Sequence, residues 1–176
     1  MSGVGQTMTL DSTAVLLQAA SLLLSYPAAD TTADLDLIAS ALAEQPPSRP
    51  RRALERFLAW WTGLDTDERE QSYVATFDLD PDVSLYLSEE QPRTSRTRGA
   101  ELLELRRAYV AAGVDVTWRE LPDFLPLMLE AAAADPACRP LLAARRDALE
   151  SLKGHLERRK SPFALVVGAL LEEVRL

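Results

Sequence analysis

Scarcity says more about this chain than abundance does. Its 176 residues hold one cysteine, Cys138, so no intramolecular disulfide can form and no thiolate cluster is available for zinc or an iron–sulfur centre. A reducing compartment fits. The one histidine, His155, stands in the charged stretch SLKGHLERRK with no second histidine or cysteine nearby, which leaves it neither a metal partner nor an acid–base partner. It reads as a surface side chain. The seven glycines are scattered, and none builds a strand-to-helix phosphate loop. No apolar run reaches the ~18 residues of a membrane span. The opening MSGVGQTMTLD lacks the positive region ahead of an apolar core that marks a leader. These absences exclude the common catalytic and metal chemistries, and the expectation is a cytoplasmic protein that is not an enzyme.

Nineteen basic against twenty-seven acidic side chains leave a net charge of −8. That field repels phosphate backbones, which argues against nucleic acid. It either attracts a basic partner or serves solubility alone. With 47% hydrophobic and 26% charged residues the composition is that of a globular protein, and a chain of this length removes roughly 70% of its unfolded surface from water. Aromatic residues are only 6%, whereas Ala and Leu abound, which favours helices. One domain over residues 1–176 is expected, with residues 1–10 disordered.

Helical spacing recurs along the chain. Behind Asp11, the positions Val15, Leu16, Ala19, Ala20, Leu22, Leu23 and Tyr26 form a mostly buried helix that Pro27 stops. A second helix starts near Asp30 or Thr31 and carries Leu35, Ile38, Ala41 and Leu42 to Pro46. A third follows Ser48, with Pro50 in its first turn, and points Leu54, Phe57, Leu58 and Trp61 inward until Gly63, a candidate left-handed cap. Trp60 and Trp61 diverge by about 100°, so one is buried and the other partly exposed. Asp65 and Glu68 form a capping pair for a fourth helix through Tyr73, Val74 and Phe77. Residues 78–95 then break the period and form a long loop in which only Val83, Leu85 and Leu87 alternate. Asp78, Asp80 and Asp82 lack the glycine and terminal glutamate of a calcium loop.

Helical character returns near Arg96 with Leu102, Leu103, Leu105, Tyr109 and Val110, and ends at Gly113. Arg96 and Arg98 head this helix, where positive charge opposes the dipole; they pair either with acidic loop residues or with a partner. Thr117 and Glu120 read as a capping box. The stretch ELPDFLPLMLEAAAADP places two prolines ahead of an apolar helical run. Pro122 fits the first helical position and Pro126 is tolerated if Asp123 caps the helix again; Asp123 serves either as that cap or as a partner contact. Beyond DPACRP one long amphipathic helix carries Leu141, Leu142, Leu149, Leu152 and Leu156. Ser161 and Pro162 start a last helix through Phe163, Val166, Val167, Leu170 and Val174. The fold class is all-α, a single-domain helical bundle.

Three blocks, YVATFDLDPDVSLYL (73–87), SRTRGAELLELRRAYVAAG (95–113) and ELPDFLPLMLEAAA (120–133), in this order and spacing, resemble the NarJ family. These are assembly chaperones, also called nitrate reductase delta subunits, within a wider group that includes the TorD and DmsD chaperones. The segment LLQAASLLLSYP is similar to the family's first helix. The resemblance covers about residues 13–135. Two positions depart from pattern: Arg93 and Thr94 stand where relatives commonly carry Gly-Asp, and Phe124 stands where many members of the wider group carry histidine.

The resemblance implies a non-enzymatic chaperone that binds the N-terminal segment of the apo catalytic subunit of respiratory nitrate reductase. It would keep that subunit competent for molybdenum cofactor insertion before membrane docking. The cofactor enters the client and is not held by the chaperone, and the membrane is met only through the client. Combined with the apolar and acidic pattern, this yields a peptide-binding groove expected to be lined by Tyr73, Phe77, Tyr86, Asp123, Leu125 and Glu130. Arg96, Arg98, Pro122 and Pro126 are expected to anchor loops. The alternatives are another molybdenum-enzyme client, or a helical regulatory domain that binds a small molecule.

Overall fold

A computed structural model describes residues 11–28, 32–80, 82–88, 96–114 and 120–174. Residues 1–10, Arg93, Thr94 and Thr117, on which several expectations fall, lie outside the described residues. Asp11 opens the first helix by accepting the Thr13 N–H at 3.1 Å. Helix α1, Ser12–Leu24, buries Val15, Leu16, Leu17, Ala19, Ala20, Leu23 and Leu24 around most of its circumference, as a helix enclosed by neighbours must. Helices α2 (Thr32–Ala43) and α3 (Arg49–Thr62) follow, α3 capped by Ser48, which accepts the Arg51 N–H. The Asp65–Glu68 capping box forms in both directions at the head of α4, Thr66–Tyr73. A π-helical turn, Val74–Asp78, continues it.

Helix α5 spans Arg96–Ala111, and Gly113 beyond it adopts φ 76°, the left-handed conformation that favours glycine. Helix α6, Leu125–Ala134, packs along α1, and its small residues Ala131 and Ala132 are fully buried. The buried Ser21 hydroxyl spans that contact by donating to the Pro126 carbonyl at 2.8 Å. A 3-10 turn (Pro136–Cys138) and a short α7 (Arg139–Ala143) lead to α8 (Arg146–Arg158) and α9 (Phe163–Glu173). Helix α9 fills the space between α1, α3 and α8 with Phe163, Val166, Val167 and Leu170. The fold is all-α. Among the described residues, the one extended pairing is an antiparallel bridge between Tyr86 and Phe124.

Several local expectations are corrected. Gly63 is right-handed at φ −74°, because its N–H turns back to the Trp60 carbonyl. Leu22, Tyr26, Leu103 and Val110 are exposed, although their spacing matches the packed faces. Pro122 lies in a turn outside the helix. α6 begins at Leu125, Pro126 occupies its first turn, and Phe124 is the cap residue without a side-chain bond, so Asp123 does not cap it. The long helix after Cys138 is two helices. The backbone of Arg145 leaves the helical region at φ −101°, ψ 18°, and its guanidinium meets Glu101 on α5 at 3.1 Å. Pro162, not Ser161, caps α9, behind Lys160 at φ 54°. Of the tryptophans, Trp61 is buried and Trp60 half-buried. His155 is half-buried, with Nδ1 2.9 Å from the Ser151 carbonyl. Cys138 is buried, and burial pushes its thiol pKa up.

Candidate functional site

Two neighbouring surfaces emerge, and the expected site residues divide between them. The first is an open groove of about 690 Å³ between α1, α2 and α6, lined also by Gly113 and Val114. Val15, Ala19, Leu22, Leu37, Ile38 and Ala133 make its walls apolar, and Glu130 is the charged residue that lines it among the described residues. Leu37 is 65% exposed and Leu22 39%, so both present hydrocarbon to solvent. Ala41 on α2 and Ala133 and Ala134 on α6 line the groove, and side chains this small leave the space beside α1 unfilled.

The second surface is an aromatic corner at the end of α1. The Tyr73 ring stacks edge-on to Tyr26 at 5.4 Å and lies 4.9 Å from Phe77, which in turn meets Phe163 at 4.8 Å. Across from them, the Tyr86 and Phe124 rings are 5.1 Å apart. This pairing follows from backbone geometry. The Leu125 N–H donates to the Leu85 carbonyl at 2.8 Å and the Leu87 N–H to the Asp123 carbonyl at 3.0 Å. The opposed residues between those two bonds are a close antiparallel pair whose side chains share one face. The intervening Leu85 and Leu87, together with Val83, turn into the core. Carboxylates frame the corner: Glu120 accepts the Tyr86 hydroxyl at 2.6 Å. Loss of solvent, then Glu70 and Asp78, raise the Tyr26 phenol pKa. The Tyr73 phenol is pushed well up, by burial first and then by Asp78 and Glu120, while its hydroxyl donates to the Leu24 carbonyl at 3.2 Å.

Of the six residues expected to line one groove, Tyr73, Phe77 and Tyr86 gather at this corner, and Glu130 lies apart on the apolar groove. Tyr73 is only 6% exposed and contributes little contact area of its own. Asp123 and Leu125 are both 0% exposed. They touch no solvent in this conformation and stand behind the corner. Asp123 instead meets Arg98, whose Nη2 lies 3.5 Å from Oδ2, and the same oxygen accepts the Ser88 N–H at 3.2 Å. This pairing accounts for a cation in the first turn of α5. The Pro122 carbonyl accepts the Tyr109 hydroxyl, and the Pro126 carbonyl that of Ser21. Arg96 opens α5, but its side chain lies outside the described residues.

Sequence reasoning missed Leu22, Leu37 and Val114. The available signal was Leu37, a leucine off the Leu35–Ile38–Leu42 face. Glu120 accepts the Tyr86 hydroxyl, a contact its sequence neighbourhood does not announce; the capping box expected with Thr117 falls outside the described residues. Among the described residues no group of acidic, histidine or cysteine side chains is arranged to hold a metal ion. Among the described residues no helix is long and apolar enough to cross a membrane.

Comparison with known proteins adds an independent line. The family model described as "Nitrate reductase delta subunit" matches residues 43–166. The probable nitrate reductase molybdenum cofactor assembly chaperone NarJ of Bacillus subtilis (strain 168) is 32% identical over 159 residues, 89% of this chain and 86% of that protein. The nitrate reductase molybdenum cofactor assembly chaperone NarJ of Escherichia coli (strain K12) is 32% identical over 136 residues, 76% of this chain and 58% of its own length. The nitrate reductase-like protein NarX of Mycobacterium tuberculosis (strain ATCC 25618 / H37Rv) is 34% identical over 165 residues, 89% of this chain but 24% of that longer protein.

Proposed function

The chain belongs to the nitrate reductase delta subunit family, and from that premise we propose that it is an assembly chaperone for a nitrate reductase. It binds the N-terminal segment of the apo catalytic subunit and keeps that subunit competent for molybdenum cofactor insertion before membrane docking. The cofactor is cargo for the client; the chaperone needs no stable cofactor, performs no catalysis and works in the cytoplasm. Two NarJ relatives carry names of molybdenum cofactor assembly chaperones, and the net charge of −8 suits a basic client segment better than nucleic acid.

One observation carries the peptide-binding part: the apolar groove is open and already formed. A preformed groove spares the partner the cost of opening the bundle. An amphipathic segment laid along it covers Leu22 and Leu37, and each well-buried anchor of the client contributes about 2 kcal/mol or more. Glu130 at the groove pairs with a basic side chain, an exposed contact worth about 1 kcal/mol or less. Phe77 and Tyr86 extend the surface at the aromatic corner, with Tyr73, Asp123 and Leu125 supporting them from behind.

Titration of a synthetic peptide of the catalytic subunit's N-terminal segment tests this. The wild-type chain binds it, and Leu37→Asp weakens binding by about tenfold or more, because a carboxylate replaces apolar contact area, while helical content is unchanged. Absence of any binding to the wild-type chain overturns the reading; preference for the leader of a different molybdenum enzyme moves it to that client. The groove's volume also falls within the range of small-molecule pockets, about 300–1,000 Å³. A metabolite copurifying with the chain, with no peptide binding, favours that second reading. The scarcity of polar groups in the groove wall, which leaves little to orient a small molecule, weighs against it.

A further inference from the structure

We propose that Asp123 is a positioning residue: it clasps segment 83–88 to the bundle and so erects the Tyr86–Phe124 wall of the client surface, without touching the client. The inference rests on the chaperone reading for its functional part and on geometry alone for the clasp.

Segment 83–88 lies outside any helix; its Val83 and Tyr86 N–H groups bond locally, to the Asp80 carbonyl and to Ser84 Oγ, and further main-chain groups reach to other elements for their partners. Among the described residues, two main-chain bonds and one to a side chain tie its backbone to the start of α6 and the turn ahead of it: Leu125 N–H to the Leu85 carbonyl, Leu87 N–H to the Asp123 carbonyl, and Ser88 N–H to Asp123 Oδ2. Two of the three end on Asp123. The same carboxylate meets Arg98, 8% exposed at its side chain, in the first turn of α5. One buried side chain therefore gathers three parts of the chain: the segment, α5 and the turn into α6. A client cation has no route to it, since Asp123 is 0% exposed and Leu87 and Ser88 are themselves buried.

The clasp matters because of what stands beside it. Leu87 and Leu125 supply the two hydrogen bonds that flank the Tyr86–Phe124 pair, and those bonds set the face on which both rings stand. Without the Asp123 carboxylate, segment 83–88 keeps its buried leucines and the two main-chain bonds beside Tyr86 but loses the side-chain restraint on Ser88 that steadies them. The asparagine variant retains an oxygen for the Ser88 N–H. It withdraws the carboxylate charge that lies 3.5 Å from the buried Arg98 guanidinium, and weakening one side of a buried ion pair lets the groups around it shift.

Backbone amide exchange, read residue by residue on the full chain, tests the clasp, and titration with the leader peptide tests its function. In wild-type protein the Leu87 and Ser88 amides are protected. In Asp123→Asn they exchange about tenfold faster or more, whereas Leu129 inside α6 is unchanged. Peptide affinity falls roughly three- to tenfold, Tyr86→Ala causes a similar loss, and the double variant is no weaker than Tyr86→Ala alone, as coupled positions require. Unaltered exchange at Leu87 and Ser88, or losses that add in the double variant, overturns the proposal and returns Asp123 to direct contact. If Asp123→Asn does not fold, Arg98→Gln loosens the same carboxylate from its other side and is read identically. Unprotected Leu87 and Ser88 amides in the wild-type chain overturn the clasp without any variant. If the wild-type chain ignores the peptide, the chaperone reading fails separately, while the exchange data still decide the clasp.

Discussion

The Tyr109 hydroxyl donates a 2.7 Å hydrogen bond to the carbonyl oxygen of Pro122. It joins the buried face of α5 to the turn that carries Asp123, and both partners are buried. A proline two residues before a helix cap leaves a carbonyl that no helix satisfies, and a phenol from another element supplies the donor. Tyr109→Phe strands that oxygen, and the expected loss is about 1–2 kcal/mol, measured as a lower urea midpoint with an unchanged denaturant slope.

Two interior phenols make stability depend on alkaline pH. Burial raises the pKa of both Tyr73 and Tyr109 above the ordinary value of 10.0. Below that value both are neutral in the folded and unfolded chain and their contribution is fully present. As pH rises past it, the unfolded phenols release protons that the folded ones retain, and stability drains away on the approach to the elevated folded values. Urea midpoints should fall between neutrality and about pH 11. A Tyr73→Phe/Tyr109→Phe double variant should start lower and fall less.

Phe163 lies against Phe57, Trp61 and Phe77 at ring distances of 5.0, 5.4 and 4.8 Å and is 0% exposed. Phe163→Ala removes the floor of the aromatic corner and leaves a cavity, at a cost of about 3–5 kcal/mol. Chemical denaturation reads the loss. Phe163→Leu retains most of the volume and should recover much of it.

Gly113 has φ 76° and open space where a Cβ would stand. Gly113→Ala therefore meets no neighbouring atom, and its cost is that of the left-handed backbone alone, about 1–2 kcal/mol. A thermal midpoint that does not move would mean the turn relaxes on substitution.

Glu130 is exposed and lines the apolar groove. Glu130→Gln should slow association with a basic leader peptide and weaken its dependence on salt, with at most about 1 kcal/mol lost in affinity. Stopped-flow binding at two ionic strengths separates this rate effect from the apolar contribution of Leu37.

What could be read from the residues was what neighbours in sequence decide. Asp65 and Glu68 meet across one turn, and the box they form needs nothing from elsewhere. Gly113 likewise declares its turn, and the alternation of Val83, Leu85 and Leu87 shows which way those side chains face. Asp123 was beyond such reading, because its partners Ser88 and Arg98 stand 35 and 25 positions away and only the fold brings them together. The exposure of Leu22 and Leu37 was hidden for a related reason: helical period identifies a face but not whether another helix covers it. The break at Arg145 carries no proline or glycine to announce it. The candidate site was thus visible as a set of residue types, whereas its division into a groove and a corner was not.

The position of Phe163 has a consequence for biosynthesis. Its ring completes a cluster begun by Phe57, about a hundred positions earlier. At translation rates of about 5–20 residues per second, the nascent chain spends on the order of 5–20 s with that cluster unfinished. The floor beneath Tyr73 and Phe77 exists only once α9 has left the ribosome, so a half-made chain has no finished aromatic corner.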